Sequence, residues 1–303
     1  MSNPSSVPTQ APRNRTPGER DATQPQETAK REINSQRNHH RESRRGGNSI
    51  GPVRTLRHGL TLAGRSVLKI RKSPEGLIDV TIQPILFLVM FVYLFGGAIQ
   101  GDTSSYLQVT LPGVMAMNMV FGSLGTGMAL NTDINKGVFD RFRSLPVARS
   151  APLIGAVLGD IVRYLVSLAV LLVFAAIMGF RIQTDPLSAL LAIVVVIAFA
   201  LAMCWITVFL GMLIKSQQAL PGVAMAFMFP LTMGSNVFVP THTMPGWLQA
   251  WVGINPVTQL ADTARGLMIG GPVLGPLTAT AIWMVAIVAV FFPLAMWAYR
   301  RRV

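Results

Sequence analysis

The chain has 303 residues, of which 51% are hydrophobic and only 13% charged, with 26 Lys and Arg against 13 Asp and Glu for a formal net charge of +13. Its single cysteine, Cys204, excludes an intrachain disulfide and a metal site with two thiolate ligands. A sequence pI near 11.2 would point to nucleic acid in a soluble protein, but here the basic segments flank apolar runs, as membrane-protein loops do, so no nucleic-acid partner is expected.

Residues 1–51 are rich in Ser, Pro, Gln, Asn and Arg and show no apolar periodicity. Such a composition buries too little surface to offset chain entropy, which predicts a disordered polar tail. No apolar stretch follows its basic residues as a signal peptide requires, and the adjacent His39 and His40 read as solvated.

Residues 52–72 change character. Val53, Leu56, Leu60, Leu62, Val67 and Ile70 lie among Arg54, Arg57, Arg65, Lys69, Arg71 and Lys72. That pattern predicts a basic amphipathic helix in the headgroup plane of an anionic membrane face. Ser73 and Pro74 turn the chain into the bilayer.

Six apolar runs near the ~20 residues that a bilayer requires follow, at about 78–98, 109–130, 153–180, 187–214, 220–239 and 277–299. The expected fold is therefore an all-α membrane domain over 52–303: six transmembrane helices preceded by the cytoplasmic interfacial helix. Fifteen Lys and Arg precede Ser73, four lie in 131–150, and Lys215 and Arg300 to Arg302 share their side; Arg181 and Arg265 face the other way. This asymmetry places both termini in the cytoplasm.

The polar loop 131–150, NTDINKGVFDRFRSLPVARS, lies between two spans. Ile134, Val138, Phe142 and Leu145 fall on one helical face, Lys136, Asp140, Arg141 and Arg143 project elsewhere, and Pro146 ends the helix. Such a helix either docks a partner or rests on the membrane surface. Between the last two spans, Trp247, Leu248 and Trp251 fit an indole-anchored interfacial helix, Asn255–Pro256 breaks the chain, and residues 257–269 form a second short helix before Gly270–Gly271. Both short helices are interfacial or re-entrant.

Charges inside the apolar region are few. Asp160 and Arg163 share one face of the third span, and Asp262 and Arg265 repeat the three-residue spacing outside. The first pair is either structural, with Arg163 free to snorkel toward water, or part of a transport path. Gly122, Gly125 and Gly127 offer close helix packing. There is no G-x-x-x-x-G-K-[ST] phosphate loop, no H-E-x-x-H and no G-x-S-x-G.

The run from Asp133 to Val147, with Lys136, Gly137, Val138, Asp140, Arg141, Phe142, Arg143, Leu145 and Pro146, resembles the first cytoplasmic loop of ABC-2 permeases, closest to the daunorubicin-resistance branch of drug exporters of actinobacteria. Residues 71–75, the Phe95–Gly96–Gly97 end of the first span, and Asn255–Pro256 with Arg265 following fit the same pattern. The resemblance covers about 52–302 and implies a permease subunit that dimerises with a second permease protomer. It implies further that the chain binds no cofactor itself, ATP and Mg residing on a separate ABC ATP-binding subunit. That subunit would contact 133–143, with 52–72 as a second contact, and the cargo would be a lipophilic drug or lipid. Two other readings stay open on the residues alone. One is a lipid-modifying membrane enzyme built on Asp79, Asp160, Arg163, Asp262 and His242. The other is a non-catalytic assembly or sensor protein working through its tail.

Overall fold

The computed structural model describes residues 74–136 and 151–302, with side chains from Ile82 onward in the first helix and, in the third, at Ile154 and from Ala156 to Arg301. Among these residues the chain is helical with no strand. The helices are α1 (Pro74–Gln100), α2 (Thr103–Asn135), α3 (Ala151–Ile177), α4 (Pro186–Leu213), α5 (Ala219–Met233), α6 (Gly246–Ile254), α7 (Pro256–Ile269) and α8 (Leu274–Arg302), with a 3-10 turn at Thr241–Thr243 between α5 and α6. Five of them, α1 to α4 and α8, are long and apolar enough to cross a membrane. The basic segment 52–72, including Arg54, Arg57, Arg65, Lys69 and Arg71, lies outside the described residues, as do Gly137, Val138, Asp140, Arg141, Phe142, Arg143, Leu145 and Pro146.

The hub is α2. It packs on α1, α3, α4, α5 and α7, and every residue from Leu111 to Val120 is buried. A helix that is apolar all round is one surrounded by other helices. Its closest approach is to α4. A Cβ on Gly211 would stand 2.6 Å from the Gly127 carbonyl oxygen, and one on Gly127 would overlap the Thr207 carbonyl. The Thr207 hydroxyl also donates to the Ser123 carbonyl at 2.8 Å. Small residues four apart let two backbones touch where lipid offers no hydrophobic push. At the far end, Asn131 Nδ2 donates to the carbonyls of Gly211 (2.8 Å) and Ile214 (2.6 Å), satisfying the last turn of α4.

Turn chemistry sets the helix ends away from Asn131. The α1–α2 connection is only Gly101 and Asp102. Gly101 takes φ +72, a conformation open to glycine, and the Asp102 carboxylate accepts from Ser105 N–H at 2.8 Å to cap α2. Asp185 caps α4 in the same way, from Ser188 N–H at 3.1 Å, with Pro186 in the first turn.

Two expected boundaries move. The loop expected to begin at Asn131 begins after Asn135, because α2 runs on and Ile134 packs against the main core. Ile134 therefore belongs to the end of a span. The span expected over 220–239 is helical only to Met233. Fifteen residues cover about 22 Å, short of the ~30 Å hydrocarbon layer. The chain nevertheless traverses the length of α2. At one end Gln217 Nε2 donates to Thr132 Oγ1 at 2.6 Å, and at the other Tyr106 Oη donates to the Phe238 carbonyl at 2.9 Å. Those two α2 positions stand about 39 Å apart along the helix axis. Residues 234–240 complete the traverse without helix.

Candidate functional site

Two polar centres sit on α2, one toward each end. In the first, Arg163 and Asp160 of α3 pair at 3.2 Å, with side chains 17% and 15% exposed. Asp160 also accepts from the Thr126 hydroxyl of α2. Arg163 Nη2 donates to the Gly122 carbonyl at 2.8 Å, and its Nε is buried with no hydrogen-bond partner among the described residues. The guanidinium carbon lies 5.4 Å from the Tyr164 ring centroid, a cation–π distance. Gly125 makes the room, since any Cβ there would overlap Nη1. The Tyr164 hydroxyl and the Thr126 hydroxyl both contact Cys204 Sγ of α4, at 3.0 and 3.3 Å. Arg163 therefore does not snorkel. It is drawn inward by a carboxylate, a carbonyl and a ring.

Beside this pair is a cleft of about 310 Å³. It opens because α1 and α5 both pack on α2 and, among the described residues, do not pack on each other. Among the described residues Arg163, Asn118 and Gln83 are its polar groups; Phe87, Phe121, Met117 and Met128 are among its apolar ones.

The second centre holds the unwound segment after α5. Arg265 of α7 is 14% exposed and pairs with Asp262 at 2.8 Å. Its Nε donates to the Val109 carbonyl of α2 at 2.8 Å, and its Nη2 donates to the carbonyls of Asn236 (2.7 Å) and Val237 (3.2 Å). Asn236 Nδ2 completes the ring by donating to Asp262 Oδ1 at 2.8 Å. Asn255 Nδ2 donates to the carbonyls of Leu231 (2.8 Å) and Gly234 (2.9 Å), while its Oδ1 accepts from Val257 N–H to cap α7. Phe91 of α1 stacks on Phe238 at 3.8 Å between ring centroids. Non-helical backbone at membrane depth persists only where protein satisfies it, and here Arg265, Asn255 and Tyr106 do so.

Both expected ion pairs therefore form, and Asn255–Pro256 breaks the chain as expected. The structure does not unite the two carboxylates. Arg265 lies against Gly113, and Arg163 against Gly125, on the same helix, about 18 Å apart along its axis. His242 is exposed in the 3-10 turn. The side chain of Asp79 is not described. Asp133 is half-buried near the end of α2, and Lys136 is exposed at its C-cap. Trp247 and Trp251 sit on α6, 75% and 44% exposed. Thr126, Tyr164, Tyr106 and Asn236 carry no motif and were not anticipated; polar residues inside apolar runs were the one signal for them.

These features define a polytopic helical membrane protein whose polar groups serve its own packing and line a cleft beside α2. The chain belongs to the ABC-2 type transporter family, whose profile matches residues 58–269. It is 41% identical over 243 residues to a daunorubicin resistance ABC transporter permease protein, DrrB1, of Streptomyces coeruleorubidus, covering 80% of this chain and 86% of the relative. A probable doxorubicin resistance ABC transporter permease protein, DrrC, of Mycobacterium tuberculosis is 28% identical over 74% of this chain and 81% of its own length. A putative transport permease, ycf38, of Cyanophora paradoxa is 26% identical over 68% and 72%.

Proposed function

We propose that the chain is the membrane-spanning permease subunit of an ATP-driven exporter, moving a lipophilic drug or lipid-like compound outward across the cytoplasmic membrane. The observation that carries this reading is the 41% identity spanning 86% of a daunorubicin resistance permease. The sequence holds no phosphate loop, so ATP and Mg would be bound by a separate ABC ATP-binding subunit, and a second permease protomer would complete the path. Residues 219–240 make a sixth crossing, helical over Ala219–Met233 and unwound beyond it, and an even number of crossings returns the C-terminus to the side of the N-terminus. The distribution of Lys and Arg puts that side in the cytoplasm.

The polar stretch that begins in the last turn of α2 is then the coupling surface: Asp133 and Lys136 start it, and the sequence 137–146 continues it. The basic segment 52–72 gives a second contact. The paired states of Asp160 and Asp262 favour this over an enzyme built on them, because each carboxylate is held by an arginine.

The test is co-purification from native membranes in mild detergent. A stoichiometric protein with a phosphate loop, lost when Asp140 to Arg143 are charge-reversed, is expected. A solitary chain, with its ATPase shown to be expressed and stable in that detergent, would overturn the assignment.

A further inference from the structure

We propose that the end of α8 holds one anionic phospholipid, with an acyl chain along Val290, Leu294 and Trp297 and its phosphodiester against Arg301. Such a site is independent of cargo and of any ATPase, and so goes beyond the exporter reading.

Val290, Leu294 and Trp297 are exposed on α8. Spacings of four and three put them on one face, with Arg301 one turn further on. The Arg301 guanidinium lies over the Trp297 ring, 4.1 Å from its centroid, a cation–π contact that holds the side chain along this face. Its N–H donors have no hydrogen-bond or ion-pair partner among the described residues. A phosphodiester matches that fork.

The height suits a headgroup. Gln183 and Thr184 bond the carbonyls of Met268 and Leu267 just before α4 starts, and α8 starts shortly after Ile269. Both helices thus leave the end of α7 in the same direction. They stay in contact through Trp205 with Phe292, 4.7 Å between ring centroids, and Phe209 with Phe291, 6.0 Å. Leu213, where α4 ends, then stands roughly level with Trp297, and Lys215 follows it out of the apolar run. An indole at that edge, with a guanidinium one turn beyond, follows the order of interface and phosphate in a leaflet.

Charge favours an anionic head over a zwitterionic one. No Asp or Glu occurs after Asp262, while Arg300, Arg301 and Arg302 are consecutive. Asp133, a described carboxylate toward the same end of the bundle, lies on α2, which among the described residues does not pack on α8. A second copy docked through the same face would set its own arginines against these. Carboxylates outside the described residues, Asp140 among them, are rival partners for Arg301, and the experiment separates them from lipid.

That experiment places the full chain in nanodiscs of phosphatidylcholine and phosphatidylglycerol, with bromine on the acyl chains of one lipid at a time. The Trp297 share of the fluorescence is the difference between the parent and Trp297→Phe. Brominated phosphatidylglycerol should quench that share with an apparent affinity about fivefold above brominated phosphatidylcholine, the worth of one arginine at a membrane surface. Arg301→Gln should bring the two lipids within about twofold of each other. Arg300→Gln removes the same charge from a residue that does not stack on Trp297, and should keep at least about threefold.

Equal losses from Arg300→Gln and Arg301→Gln would reduce the effect to diffuse attraction and overturn the site. Equal quenching by the two lipids in the parent would do the same. A Trp297 share that neither lipid quenches would mean that protein covers this face, whether another segment of the chain or a second copy, and would also overturn it. All three substituted positions are exposed, so none of the variants opens the core. No nucleotide or ATPase is present, so this result and the result of partner capture are separate.

Discussion

Arg265 Nε donates to the main-chain carbonyl of Val109 at 2.8 Å, joining residues 156 apart in the sequence. The same guanidinium reaches Asp262, Asn236 and Val237, so one planar fork holds α2, α7 and the unwound end of the α5 segment together. Only a fork with several fixed donors can do this. Arg265→Met is expected to cost about 3–5 kcal/mol, since it strands a partly buried carboxylate and several carbonyls. Arg265→Lys should recover less than half of the loss. Thermal unfolding in detergent measures both, and a lysine variant as stable as the parent would show that charge alone suffices.

The α2–α4 contact predicts a contrast between two glycines. Gly127 has no space for a Cβ, while Gly97 has nothing within 4 Å of one. Gly127→Ala should destabilise by more than about 2 kcal/mol through backbone separation. Gly97→Ala should be neutral or stabilise by up to about 1 kcal/mol through helix propensity. Denaturation of the purified variants in one detergent distinguishes them.

Much of this was legible in the sequence because membrane physics is local. Span length, the i,i+3 spacing of Asp160 with Arg163 and of Asp262 with Arg265, and the Asn255–Pro256 break all follow from neighbours along the chain. The unwinding after Met233 was not legible. It depends on donors at Tyr106, Asn255 and Arg265, which no window around residue 234 contains. Nor was the inward turn of Arg163, because snorkelling and burial differ only in whether another helix offers a carbonyl, as Gly122 does. The extension of α2 to Asn135 was hidden by the polar composition of 131–135, which looked like loop until its partners on α4 were in place.

The Asp160–Arg163 pair makes single and double substitutions diverge. Removing one member leaves a charge buried without its partner, at a cost of about 3–5 kcal/mol, whereas replacing both with apolar residues of similar size is often near neutral. Asp160→Leu and Arg163→Met should therefore each lower the unfolding temperature, and their combination should restore most of it. A double-mutant cycle reads the coupling. Additive losses would mean that the two side chains are held by their other contacts rather than by each other.

At the α1–α2 turn, the backbone N–H of Ser105, then that of Ser104, holds the Asp102 carboxyl below the ordinary carboxylate value of 3.8. A depressed pKa in the folded state means that the cap contributes fully above that ordinary value, and its contribution is lost as pH falls through the lowered one. Unfolding temperatures taken between pH 6 and pH 3 should fall more steeply for the parent than for Asp102→Ala. Parallel curves would show that the cap does not sense protonation.

The proposed coupling surface gives the decisive functional test. Asp140, Arg141 and Arg143 follow in the sequence the exposed C-cap of α2 at Lys136. Exchanging their signs, Asp140→Arg with Arg141→Glu and Arg143→Glu, should leave insertion unchanged and alter stability by no more than about 0.5 kcal/mol, as surface changes do. Transport is expected to fall at least tenfold, because docking charges of the wrong sign repel a complementary partner. Efflux of a fluorescent lipophilic drug from cells, set beside membrane abundance of the chain, separates the two effects. If efflux survives the exchange at normal abundance, coupling runs through other residues, and the basic segment 52–72 becomes the surface to alter next.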